Sequence, residues 1–178
     1  ILSASDRSGM RVCSYNVLSL VQAGRPANVS DKLSRFHILC LQGTRWRACG
    51  PNPEDACRIR AEGANGLILD WGYHKGVFSN RMTGVQIRLA KMFKQQHSAA
   101  VYSPPKELQG RGGAVRLRSL RFDILCMTLY VPPKPMLAAQ ASMYAKTVHA
   151  LFDWCDSALS QQPGRTTITL CMDLNDGL

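Results

Sequence analysis

Asp173 and Asn175 close the run Thr166-Thr167-Ile168-Thr169-Leu170-Cys171-Met172-Asp173-Leu174-Asn175. Residues two apart on an extended chain point the same way, so a strand here delivers both polar side chains to one place. A carboxylate that polarises water, beside an amide that grips a phosphate oxygen, suits hydrolysis of a phosphodiester. Taken alone, Asp-Leu-Asn-Asp-Gly is also an ordinary turn. It is not a calcium loop, because its glycine comes one position early and no acidic ligand follows. Other polar residues stand after apolar runs in the same way: Asn16 after Met10–Tyr15, Gln42-Gly43-Thr44 after Phe36–Leu41, and Tyr130 at the end of Phe122–Tyr130.

Two groups of arginines accompany them. Arg45, Arg47, Arg58 and Arg60 cluster with Trp46 around the loop after Phe36–Leu41, and Arg111, Arg116, Arg118 and Arg121 alternate along a hairpin. A run of such charge is commonly a solvated face. It also attracts a phosphate backbone, and an exposed tryptophan stacks on an unpaired base. Arg45, Trp46, Arg47, Arg116 and Arg118 are therefore candidate nucleic-acid contacts. A net charge of +10, from 22 Lys+Arg against 12 Asp+Glu, favours acidic partners, nucleic acid first and an anionic membrane surface second.

These residues need elements to position them. The 178 residues, 46% hydrophobic, suffice for one domain with a core, expected over 10–178 behind a polar lead-in at 1–9. Strands are expected at Met10–Tyr15, Phe36–Leu41, Lys75–Ser79, Val85–Leu89, Ala99–Tyr102, Ala114–Leu117, Phe122–Tyr130 and Thr166–Met172, with a polar loop after Trp46 reaching about Gly66. Five of them, at Met10–Tyr15, Phe36–Leu41, Val85–Leu89, Phe122–Tyr130 and Thr166–Met172, are expected to be buried. Helices are expected at Asn28–Arg35, capped by Ser30, and at Met136–Gln162. The second should bury Val148, Leu151, Phe152, Cys155 and Leu159. This is an α+β pattern. No apolar run is long enough for a membrane span and no signal peptide opens the chain. The seven scattered cysteines form no zinc pattern and fit a reducing, intracellular compartment.

The ordered strand ends resemble the endonuclease/exonuclease/phosphatase superfamily. They look closest to the apurinic/apyrimidinic-type endonuclease domains of LINE-type non-LTR retrotransposons. Those domains show a strand ending in Asn, a Leu-Gln-Glu-Thr motif, a Tyr-x-Pro segment and Gly-Asp-(Phe/Leu)-Asn. Leu41-Gln42-Gly43-Thr44-Arg45-Trp46 and Thr128-Leu129-Tyr130-Val131-Pro132 are near matches to the second and third. The resemblance implies a four-layer α/β/β/α sandwich that hydrolyses DNA with Mg2+. Within it, Asn16 and Asp173 would serve the metal, and Tyr130, Asp173 and Asn175 the scissile phosphate. It further implies a nuclear setting and fusion to a reverse transcriptase in a longer parent.

Two departures qualify this. The metal-binding glutamate of the motif falls at Gly43, and the glycine before the aspartate is Met172. The resemblance places a further aspartate and a Ser-Asp-His segment beyond Leu178, and Ile1 is not Met, so the chain reads as an incomplete piece. The expectation is therefore a DNA endonuclease domain inactive as given. The alternatives are a non-catalytic nucleic-acid-binding remnant and a phosphatase of the same superfamily. None of His37, His74, His97, His149, Glu54 or Asp55 is a plausible replacement for what is lost.

Overall fold

The computed structural model describes residues 9–21, 27, 29, 31, 35–47, 56–61, 66–73, 83–93 and 98–175. Among these, nine strands make two mixed sheets. The first contains β1 (Val12–Asn16), β2 (Ile38–Gln42), β3 (Arg58–Ala61), β4 (Gly66–Trp71) and β5 (Val85–Ala90), in the order β1-β2-β5-β4-β3. The second contains β6 (Ser98–Tyr102), β7 (Gly112–Arg118), β8 (Asp123–Tyr130) and β9 (Thr167–Asp173), in sequence order. A long helix, α1 (Ala141–Ser160), crosses between β8 and β9.

Alternation along the strands builds the layers. Ile38 and Cys40 of β2, Leu69 and Trp71 of β4, and Val85, Ile87 and Leu89 of β5 face Val115, Leu117, Cys126 and Cys171 of the second sheet. On the far side of β8, Leu125, Met127 and Leu129 pack under Leu151, Cys155 and Ala158 of α1. On the far side of β2, Leu39 and Leu41 pack with Val17, Leu20 and the helical Val29. The sheets approach closely where β7 has no side chain: a Cβ on Gly113 would stand 2.2 Å from the Trp71 ring. Trp71, fully buried, donates its indole N–H to Ser103 Oγ at 3.1 Å.

Several expectations need correction. The polar stretch before Gly66 contains β3, and Gly66–Trp71 is a strand. Their polar side chains form one network, with Arg60 donating to Asp70 Oδ2 at 2.8 Å and Gln86 donating to its other oxygen. The strands β1 and β9 are half-buried to exposed apart from the buried Cys171, because each lies at the edge of its sheet. Helix α1 begins at Ala141, after a short 3-10 turn at Ala138–Gln140, and Met136 and Leu137 before it are exposed. Phe152 is likewise exposed rather than buried, one position past Leu151 on the helix. Ala27, Val29 and Asp31 are helical, and Arg35 lies in a turn. The expected cap Ser30, the strand Lys75–Ser79 and the lead-in 1–8 lie outside the described residues, as do His74, His97, Glu54 and Asp55. No described helix is long and apolar enough to cross a membrane.

Candidate active site

Two of the strand pairings are parallel, β1 with β2 and β8 with β9. Parallel neighbours end on the same side, so Asn16 pairs with Gln42 and Tyr130 with Asp173 at one pole of the sandwich. Asn16 Nδ2 donates to Asp173 Oδ2 at 2.5 Å, a bond between the two sheets. Asn16 Oδ1 accepts the Leu18 N–H at 2.9 Å. The other Asp173 oxygen accepts the Asn175 N–H at 3.2 Å, and Asn175 Nδ2 donates to Val131 O at 2.7 Å. Both oxygens of Asp173 are thus held in place.

Gly43 sits between these groups. A Cβ added there would lie 3.0 Å from Asn16 Oδ1 and 3.7 Å from Tyr130 Cε2. The structure therefore brings Asn16, Gly43, Tyr130, Asp173 and Asn175 together. Beneath them the buried Gln42 donates to Ser14 Oγ at 3.1 Å and Thr128 Oγ1 at 3.0 Å, joining β1, β2 and β8. The backbone here is unusual. Leu18, Arg45 and Asn175 have φ of 56°, 60° and 46°, Gly43 has 66°, and all four flank this pole. Non-glycine residues in this region persist only where their surroundings hold them, and such positions cluster at functional sites.

Burial is the main cause that pushes the Tyr130 phenol above its ordinary pKa, with the Asp173 charge adding to it. A hydrogen bond with the Asn175 side chain and the charges of Arg111 and Arg45 act in the opposite direction. The phenol stays protonated at neutral pH and remains a donor. Arg111, read from the sequence only as one of the hairpin arginines, sits in the turn-like Gly110-Arg111-Gly112-Gly113 and comes to this pole rather than to Arg116 and Arg118. It is 2% exposed, and its carbonyl accepts the Tyr130 N–H at 2.7 Å. Burial lowers the Arg111 pKa, and the nearby Tyr130 opposes that shift. The place of Arg111 between glycines is the sequence signal that sets it apart from the other hairpin arginines.

The basic candidates divide. Arg45, Trp46 and Arg47 follow β2 after Gly43 and Thr44, and the Arg45 charge is near enough to act on Tyr130. Arg47 Nε donates to Tyr73 Oη at 3.4 Å, and the Arg60 guanidinium lies 5.2 Å from the centre of the Trp46 ring. Arg116 and Arg118 end up at the opposite pole, because β7 runs away from it. Arg116 is engaged there by Asp123, with Nε at 2.8 Å from one oxygen and Nη2 at 2.6 Å from the other. His37 accepts the Arg11 N–H through Nδ1 at 3.0 Å just before β2, and His149 is exposed on α1. Neither reaches the site. The described cysteines are all free thiols, and Cys40, Cys126, Cys155 and Cys171 are buried.

No protein-family model matches the sequence, and neither does any curated protein. Solved structures do match. An AP endonuclease, LMAP from Leishmania major, superposes with a TM-score of 0.62 at 13% identity, over 93% of this chain and 54% of that one. A D. rerio TDP2 humanised by 14 mutations gives 0.56 at 9% identity, over 93% and 66%. The endonuclease domain of TRAS1, a telomere-specific non-LTR retrotransposon, gives 0.48 at 14% identity, over 95% and 60%. The chain spans between about half and two-thirds of the length of these structures. At such identities the likeness is one of fold alone, and the first two structures carry it. The fold of this chain is that of the endonuclease/exonuclease/phosphatase superfamily.

Proposed function

We propose that this pole binds a DNA phosphodiester, in a domain derived from a metal-dependent DNA endonuclease that now binds without cutting. The observation that carries the reading is the meeting of Asn16, Tyr130, Asp173 and Asn175 around Gly43. That arrangement keeps the polar frame of a phosphodiester site and lacks a side chain where the resemblance places a metal-binding glutamate. Arg45 and Arg111 give the pole positive potential, and the net charge of +10 favours a polyanion. A phosphate here would accept from the neutral Tyr130 phenol and these arginines. Asp173, oriented by Asn16 and the Asn175 N–H, would hold a water beside it.

Mg2+ is the ion that the resemblance implies, and the residues present do not fit it. Magnesium wants near-octahedral oxygen ligands. Among the described residues the pole offers one carboxylate, Asp173, both of whose oxygens already accept hydrogen bonds. Among the described residues, no three of His, Cys, Asp and Glu gather to hold a metal. Without a divalent ion to neutralise the charge that develops on the phosphate, the rate falls by several factors of ten.

Incubating supercoiled plasmid with the 178-residue chain in Mg2+ or Mn2+ tests this. The expected result is binding that weakens as salt rises, and no conversion to nicked circles. Nicking that Asp173→Ala abolishes would show an active nuclease and overturn the reading.

A further inference from the structure

At the other pole of the second sheet, the turn between β7 and β8 lies beside the loop that enters β9. The parallel register sets Thr167 against Ile124 and so brings Arg165 to 3.9 Å from Asp123 Oδ2. Arg118, Arg121 and Arg165 line an open groove of about 670 Å³ there, floored by Phe122 and Asp123. Asp123 does not balance them. Its carboxylate is already bidentate to Arg116, and that hydrogen bond holds its pKa below the ordinary carboxylate value. Arg116 and Asp123 cancel, which leaves three guanidinium charges around one concavity. Arg118 and Arg121 are exposed, and the Arg165 side chain is 77% exposed, in weak outer contact with Asp123. Like charges converging from two separate segments repel one another and contribute nothing to folding. They do match the forked recognition of phosphate oxygens by arginine.

We propose that this groove is a second nucleic-acid contact, which takes phosphodiester groups of a segment other than the one bound at the Tyr130 pole. The eight residues of β8 separate the two places by roughly 23 Å, at about 3.3 Å per residue. The exposed side chains of β9 between them are threonines and apolar residues, with no basic side chain to carry a backbone along the sheet. On this proposal each pole takes its own duplex and the chain bridges two; a single duplex lying across both, about 7 base pairs at about 3.4 Å each, would give no energy transfer between duplexes and overturn the bridging. Nucleic acid is favoured over a lipid surface because the net charge is +10 and the other pole also sets arginines, Arg45 and Arg111, beside its polar groups. The choice of nucleic acid rests on the reading of the Tyr130 pole, but the residues tested in the two places differ, so failure of the one is distinguishable from failure of the other.

The test uses the whole chain and a labelled duplex of about 25 base pairs, with binding followed by fluorescence anisotropy across a salt series. Arg118→Gln, Arg121→Gln and Arg165→Gln together should weaken binding about tenfold at low salt. They should reduce the slope of log affinity against log salt by about two to three, at about 0.9 for each phosphate no longer neutralised. Arg45→Gln with Arg47→Gln should weaken binding independently, and the effects of the two sets should add. Energy transfer between donor- and acceptor-labelled duplexes should appear with the native chain and vanish with the triple variant, although that variant still binds one duplex. If the triple variant folds poorly, Arg165→Gln alone should lower the slope by about one, since the side chain is largely in solvent. Native affinity and slope in the variants would overturn the proposal. So would binding to phosphatidylserine vesicles that needs these arginines and the exposed Leu120 while DNA binding is unchanged.

Discussion

Replacing Gly43 by alanine should cost about 2 kcal/mol, and the cost has two separable parts. Gly43 holds φ at 66°, where an L side chain meets the following carbonyl at a cost of about 1 kcal/mol. The new Cβ would also stand 3.0 Å from Asn16 Oδ1, which already accepts the Leu18 N–H. Asn16 must yield by a few tenths of an ångström, and its 2.5 Å bond to Asp173 weakens with it. A hydrogen bond to a charged group contributes about 1.5–3 kcal/mol, so losing part of it adds about 1 kcal/mol. The melting temperature should fall by about 4–8 °C, at about 2–4 °C per kcal/mol for a chain of this size. Urea unfolding followed by tryptophan fluorescence gives the free energy directly. In an Asn16→Ala background the contact part disappears, so Gly43→Ala should then cost only about 1 kcal/mol. A neutral or stabilising Gly43→Ala would refute the reasoning, as would an equal cost in both backgrounds. Gly43→Glu meets the same backbone and the same Asn16, so it should not restore nicking by itself.

Three further outcomes follow from the geometry. Gly113→Ala pushes a methyl group into the fully buried Trp71 ring and should destabilise by about 2–3 kcal/mol, measured by urea denaturation. The Cys57 thiol is pushed up to about 12, first by burial and then by the Asp70 charge, against a backbone hydrogen bond from Asp70. At about pH 8 its thiolate fraction is about a thousandfold below that of an ordinary cysteine, so mass spectrometry should find it the last of the partly exposed thiols to react with iodoacetamide. The lowered carboxyl of Asp123 gives stability that is present above its ordinary pKa and lost as pH falls through the folded value. The stability difference between the native chain and Asp123→Asn should therefore shrink below about pH 4. A constant difference across that range would show that the Arg116 pair is not what lowers the pKa.

The strand ends are legible because period-two apolar runs stop abruptly at a polar residue, and Asn16, Gln42, Tyr130 and Asp173 all stand at such stops. That the ends converge is not legible residue by residue. It follows from two parallel pairings, which the chain order and the α1 crossover between β8 and β9 make possible. The strand β3 hides because Arg58-Ile59-Arg60-Ala61 carries charge where an apolar face is sought, and Arg60 finds its partner in Asp70 only across the ladder. Arg116 reads as a free cation because its partner Asp123 is seven residues away, beyond a turn. Phe152 reads as buried because helical spacing gives a stripe, not the width of the surface that meets it. Arg111 reads as one of a group with Arg116 and Arg118, and only the fold separates it from them, buried and bonded through its carbonyl to the Tyr130 N–H.

Asn16 and Asp173 come from the two edge strands, β1 and β9, which face each other across the gap between the sheets. Their bond is therefore a clasp on the open seam of the sandwich, as well as part of a site. Opening of the seam and loss of site geometry are one event, and local opening is easiest at strands paired on one side only. A ligand that ties Asn16 to Asp173 more firmly would slow amide exchange along both edge strands together. A ligand that draws Asp173 away would loosen both, and the amides of β1 would report an encounter made at β9.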